Sequence, residues 1–146
     1  MKSLAIAVVV LTLSIGCTAP KPMVKITEPA EGGSVEPTQM VRGTSRAVPA
    51  GQTIWVAVFV QKVGRYYPQN QAADVQPNGG WSSLTYIGIP SDVGLKFDLI
   101  AVLADREGQA AFNKYLVDAR NKNDYPGLEQ LPQGVTVYDR ISVTRK

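Results

Sequence analysis

Thr53-Ile54-Trp55-Val56-Ala57-Val58-Phe59-Val60-Gln61 is the stretch that most restricts how this chain can fold. Between its polar ends every residue is apolar, and β-branched and aromatic types dominate, which predicts a strand. A strand that is apolar on both faces cannot lie at a surface, so it is expected to be central. Leu95 to Leu103 is a second such stretch. Its first half alternates and its second half is apolar throughout.

Shorter strand patterns surround these two. Val24-Lys25-Ile26-Thr27 alternates and leads into the turn cluster Glu28 to Gly33, and Gln39 to Thr44 is a second short strand. Tyr66-Tyr67-Pro68-Gln69 is placed at an edge by its proline. Asn78-Gly79-Gly80 turns the chain into Trp81 to Ile87, and Gly134 to Thr144 closes it. One helix interrupts the series: Ala111, Phe112, Tyr115, Leu116 and Ala119 recur on one helical face, with Asp105 as N-cap and Arg120 and Lys122 near the end. That face is expected to cover Leu99 to Leu103. In the last strand Val135, Val137, Ile141 and Val143 share a parity with Asp139, which requires either a bulge or a buried partner such as an arginine. Trp55, Phe59 and Trp81 are expected in the core. Seven short strands with frequent turns predict a mostly β fold, a two-sheet sandwich with one helix inserted before the last strand.

The N-terminus carries a separate message. Met1-Lys2-Ser3 is basic, Leu4 to Leu13 is apolar and too short for an ordinary spanning helix, and small residues follow before Cys17, the single cysteine. Ser14-Ile15-Gly16-Cys17 resembles the lipobox of bacterial lipoproteins, with serine where leucine is usual. The resemblance implies lipidation of the Cys17 thiol, cleavage before it, and acylation of the freed amine. Two or more chains at ~0.8 kcal/mol per buried methylene anchor stably. A plain signal peptide with an incidental cysteine and an uncleaved anchor remain the alternatives. The expected organisation is a signal peptide over residues 1–16, the lipidated cysteine and a short proline-containing tether over 17–22, and one domain over 23–146. The expected location is a cell or outer membrane, facing the periplasm or the exterior.

The pieces Pro29-x-x-Gly32-x-x-Val35, Val41-x-Gly43, Ile54-Trp55-Val56, Tyr66-Tyr67-Pro68-Gln69, Gly80-Trp81-Ser82 and Ile141-Ser142-Val143-Thr144-Arg145 resemble immunoglobulin-like or fibronectin-type modules of bacterial surface lipoproteins. The resemblance implies an immunoglobulin-like β-sandwich outside the cytoplasm and brings no catalytic residues with it.

Composition narrows the chemistry. The chain has no histidine and its one thiol is assigned to lipid, which removes Ser-His-Asp and Cys-His catalysis and leaves no usual zinc set. The carboxylates, among them Asp98, stand singly along the sequence, so no enzyme, metal or cofactor is expected. Without residues 1–17 the chain holds 14 basic and 12 acidic residues, a balance too slight to indicate nucleic acid. Tyr66, Tyr67, Gln69, Asn70 and Gln71 form the candidate binding surface, because one of two adjacent strand tyrosines must face outward beside these amides. The bland alternative is a tyrosine packed at a sheet edge. Two functions are expected to compete: a non-enzymatic module that engages an envelope protein or serves as a spacer, and a small glycan-binding module.

Overall fold

The computed structural model describes residues 16–146. Most of the predicted signal peptide, including Ser14 and Ile15 of the lipobox, lies outside the described residues. Nine strands and one α-helix follow: β1 (Met23–Glu28), β2 (Ser34–Val35), β3 (Thr38–Arg46), β4 (Thr53–Val60), β5 (Arg65–Pro68), β6 (Asp74–Val75), β7 (Gly80–Tyr86), β8 (Lys96–Ala104), α1 (Arg106–Lys122) and β9 (Val135–Arg145). They form two sheets, ordered β1-β3-β7-β6 and β2-β9-β8-β4-β5. The fold is mostly β, as the strand patterns predict. The stretch Thr53–Gln61 is internal as expected, although the middle of the five-stranded sheet is β8.

Alternation along β4 and β8 explains why both are apolar on two faces. Ile54, Val56 and Val58 of β4, with Phe97, Leu99, Ala101 and Leu103 of β8, meet Val24, Val41 and Trp81 of the other sheet in one core. The intervening residues Trp55, Ile100, Val102 and Ala104 point the other way and meet Phe112 and Leu116 of α1 in a second core. The helix therefore covers alternate residues of the Leu99–Leu103 run, and its reach extends to Trp55 on the neighbouring strand. Trp55 and Phe112 lie 5.2 Å apart between ring centroids, tilted by 52°. Two apolar layers on one strand pair bury far more surface than a sheet with one solvated face.

Local chemistry fixes the helix ends. The Asp105 carboxylate accepts the Gly108 N–H at 3.0 Å, satisfying one of the free donors of the first turn. Gly108 is a glycine because the helix passes against β9 there. A Cβ on it would stand 2.7 Å from the Gly134 carbonyl oxygen and 2.8 Å from Val135 Cγ2. Asn123 ends the helix in the left-handed region, φ 49°, with its N–H directed to the carbonyls of Ala119 and Arg120.

Of the two resolutions anticipated for Asp139, the bulge is the one that occurs; the carboxylate is only partly buried, and its partners are a backbone N–H and an exposed lysine, not an arginine. The β8–β9 register shifts between Ala101 and Val102, paired with Asp139 and Val137, so Tyr138 is the extra residue of a bulge. The re-aimed Asp139 accepts the Ile26 N–H at 2.8 Å and pairs with Lys25 Nζ at 3.3 Å. It thereby occupies an outward N–H of edge strand β1, where another strand could otherwise add.

Candidate functional site

The Tyr66–Gln71 segment divides between three surroundings. Tyr66 and Tyr67 face opposite sides of β5, as strand geometry requires. Tyr66 turns to the helix side, its ring 4.7 Å from Phe59. Tyr67 turns into a groove. Gln69 is buried: its Oε1 accepts the Tyr86 N–H at 2.8 Å and its Nε2 donates to the Tyr67 carbonyl at 3.2 Å. The amide oxygen thus ties the residue after β5 to β7, one strand from each sheet, while the amide nitrogen bonds back to β5. Asn70 and Gln71 are exposed.

The groove encloses about 660 Å³, within the ~300–1,000 Å³ usual for ligand sites. Its walls come from four separate parts of the chain. Val58, Val60, Lys62 and Val63 extend from the end of β4, and Tyr67 to Asn70 from β5 and the residues after it. Tyr86 ends β7, and Ile89, Ser91 and Asp92 follow it. Tyr115 and Leu116 belong to α1, and Tyr125 to the loop after it. A smaller depression of about 210 Å³ adjoins it, bordered by Met40, Gln71, Asp74 and Leu84, and Asn70 and Tyr86 line both.

Folding brings Tyr125 here through the loop's bond to β5. Leu128 forms an antiparallel bridge with Tyr66, N–H to carbonyl in both directions at 2.9 and 2.8 Å. Gly127 lies against the Tyr67 ring, where a Cβ would come within 2.8 Å of it, and its φ of +72° is one that only glycine adopts readily. The Gly127 N–H donates to the Tyr115 hydroxyl at 3.1 Å. Burial pushes the Tyr115 phenol above its usual range, and that N–H only partly opposes it, so the hydroxyl keeps its proton at neutral pH.

Charge gathers on another face. Asp98 lies on the outer side of β8, buried, opposite Phe59 and Ser142 in the neighbouring strands. It accepts from Gln61 Nε2 at 2.7 Å, Ser142 Oγ at 2.6 Å and Arg140 Nε at 2.8 Å, and Arg140 Nη2 completes the fork. The guanidinium stands 4.8 Å above the Phe59 ring. Burial acts to raise the Asp98 pKa. The hydrogen bonds from Ser142, Arg140 and Gln61 and the Arg140 charge outweigh it and hold the carboxyl below the ordinary range. A carboxylate this fully satisfied is held in one place and offers no lone pair to a substrate, so the cluster is a lock between strands. Arg145 is also buried, with Nε and Nη1 lacking any hydrogen-bond partner among the described residues. It lines neither depression.

Among the described residues no group of three carboxylates or cysteines could hold a metal ion, and Cys17 is exposed and free. Among them, too, no helix is long and apolar enough to cross a membrane. Sequence reasoning missed Tyr86, Ile89 and Tyr125 as groove residues. Tyr115 it placed only in the helix packing face. No known protein-family model matches the chain, and no curated protein matches it in sequence.

Proposed function

We propose that this chain is a lipid-anchored module of the cell envelope, built as an immunoglobulin-like β-sandwich, which binds a partner protein and catalyses nothing. Strand order supports the fold assignment. The order β1-β3-β7-β6 corresponds to the A-B-E-D sheet of immunoglobulin domains, and β9-β8-β4-β5 to G-F-C-C′. The helix then sits between strands F and G, where the simple scheme has a turn. Support for the anchor comes from the Cys17 motif and from the exposed segment Gly16–Lys21, which leaves the domain at the start of β1.

The observation that carries the binding reading is where the apolar surface gathers. Val63, Tyr86, Ile89 and Tyr125 all line the groove while remaining 53, 52, 62 and 46% exposed. Clustered exposure of this kind marks interaction sites, whereas single exposed aliphatics are ordinary. The groove also faces away from the tether. Met23 pairs with Arg46 at one end of its sheet, and Tyr86 pairs with Thr38 at the other. Six tether residues reach at most ~20 Å, so a domain anchored at Cys17 stands close to the membrane and presents the groove outward. The glycan reading is weaker, because the Gln69 amide is consumed within the fold.

The test is site-specific photo-crosslinking in the intact cell. A photo-reactive phenylalanine replacing Ile89 in the full chain should capture one envelope protein, and Tyr86→Ala should abolish that adduct. The same group at Thr136, at the opposite end, should not capture it. Equal capture from both positions, or none from position 89, refutes the reading.

A further inference from the structure

We infer that the space between the two sheets, at the end where β9 finishes, is a site for an apolar carboxylate with the Arg145 guanidinium as its receptor. The site is separate from the groove and does not depend on the protein-binding reading. Arg145 shares the parity of Ile141 and Val143, which lie in the inter-sheet core, so its side chain also turns inward. It is 5% exposed, and neither Nε nor Nη1 has a hydrogen-bond partner among the described residues. A guanidinium does not escape burial by losing its proton. What the position lacks is a counter-charge.

Register shows what surrounds it. Val35 stands beside it in β2, and Val143 precedes it on the same face. On the other side lies Leu95, whose carbonyl accepts the Arg145 N–H at 3.0 Å. All three are apolar. From the opposite sheet the paired residues Gln39 and Thr85 come nearest to this end, and both bond within their own segment. The Gln39 amide takes the Glu36 N–H and donates to the Met40 carbonyl, and the Thr85 hydroxyl donates to the Ser83 carbonyl. The acids at this end are occupied as well. Glu36 pairs with Lys146 at 3.0 Å, and Asp92 Oδ2 accepts the Ile89 N–H at 2.9 Å.

These surroundings decide the class of guest. One positive charge among apolar side chains is neutralised by a monoanion, whereas a phosphate dianion would leave net negative charge buried in its place. The planar guanidinium also matches a carboxylate in geometry. The rest of the guest meets Val35, Leu95 and Val143, so it is apolar. In the described state the site is closed, but its cover is thin. Glu36 and Pro37, which follow Val35, are exposed, as are most residues of the loop 88–94. That loop is tied within itself through Asp92, whose N–H donates to the Ile89 carbonyl and whose carbonyl accepts the Leu95 N–H. It begins and ends on glycines in the left-handed region, Gly88 at φ +69° and Gly94 at φ +81°. Such ends absorb backbone rotation, which lets the loop swing as a unit and admit a guest beside Arg145.

The experiment titrates the full-length chain in detergent, at constant ionic strength, with sodium hexanoate and with acetyl-alanyl-leucine bearing a free C-terminus. Hexanamide and inorganic phosphate are the comparison probes. The readouts are the melting midpoint and the NMR signal of the Arg145 Nε–H. Both carboxylates are expected to shift that signal and, at ten times Kd, to raise the midpoint by about 4–7 °C. Whichever binds more tightly distinguishes a free acid from a chain end as the source. Hexanamide and phosphate should do neither. Arg145→Met should abolish both responses, and Arg145→Lys, which keeps the charge and loses the planar fork, should weaken binding about tenfold. An equal response to hexanamide or phosphate, an undiminished midpoint rise in Arg145→Met, or no shift of the Arg145 signal at about 10 mM hexanoate overturns the inference.

Discussion

Phe112→Ala tests whether α1 is part of the folded unit or an appendage to it. Phe112 is fully buried, against Trp55 and the outer residues Ile100, Val102 and Ala104 of β8. Truncating a buried phenylalanine to alanine costs ~3–5 kcal/mol in lost transfer energy and residual cavity. A domain of about 120 residues holds ~6–18 kcal/mol in total, so this one ring accounts for a large part of it. At ~3–5 °C per kcal/mol for a chain of this size, the midpoint should fall by roughly 10–20 °C. Lys114→Ala is the control: Lys114 is exposed and pairs only with Asp118 one turn on, a contact of a few tenths of a kcal/mol.

The transition should also remain single. If α1 undocked alone, Trp55, Ile100 and Val102 would be left facing water on strands that also form the inter-sheet core, so helix and sheets must lose structure together. Circular dichroism at a helix-weighted and a strand-weighted wavelength, followed through one melt, checks this. A Phe112→Ala protein that loses helix signal first and keeps its strand transition at the wild-type temperature refutes the reasoning. It would show that the inter-sheet core folds without its second layer.

Three further perturbations have defined outcomes. The Asp98 pKa is lower folded than unfolded, so its contribution is complete above the unfolded value near ~3.9 and disappears as pH falls through the folded one. Asp98→Asn should cost ~2–4 kcal/mol at pH 7 and flatten the loss of stability as pH falls below about 4; an unchanged acid slope by chemical denaturation contradicts the lock. Arg145→Met removes a buried guanidinium with two unpaired nitrogens, Nε and Nη1, so the melting temperature should hold or rise, and a fall of more than about 5 °C means that Arg145 makes an interaction absent from the described structure. Cys17→Ser should leave the first 16 residues uncleaved and abolish acylation, both read by mass spectrometry of the membrane fraction; a variant that is cut and fractionates like the wild type rules out lipidation.

The elements that the sequence revealed are those with a signal inside one segment. Alternation, or an unbroken β-branched and aromatic run bounded by turn residues, exposed the seven longer strands, and helical spacing from Ala111 to Ala119 exposed α1. A carboxylate at Asp105 marked the turn where the helix begins. Strands β2 and β6 gave no such signal, because two residues cannot alternate. Asp98 was read as one more isolated acid, since its partners Gln61, Arg140 and Ser142 lie 37 to 44 positions away and only strand pairing brings them together. The same reason hid most of the groove. Tyr67 was visible as half of an adjacent tyrosine pair, but Tyr86, Tyr115 and Tyr125 join it only once β7, α1 and the following loop are packed. Gln69 was misleading for the opposite reason: a glutamine beside exposed amides reads as a surface residue until its buried bonds to Tyr67 and Tyr86 are known.

The way this fold spends its apolar residues bears on function. On the five-stranded sheet, one face meets the opposite sheet, and the other is covered by α1 over Trp55, Ile100 and Val102 and closed beyond it by Phe59, Tyr66 and the Arg140–Asp98 lock. Even the edges are guarded, by Asp139 on β1 and Leu128 on β5. Stability alone gives no reason to stop there and leave Val63, Tyr86, Ile89 and Tyr125 partly in water around one groove. Val75, Leu84, Val93, Val117 and Val137 are exposed too and do not line it, although Leu84 borders the adjoining depression. Dispersed residues of that kind arise because there is not enough polar surface to cover a domain. Four residues from three segments meeting on one groove require the folded state to assemble them. An apolar concavity built by folding and left open is what a binding site needs and what a spacer does not.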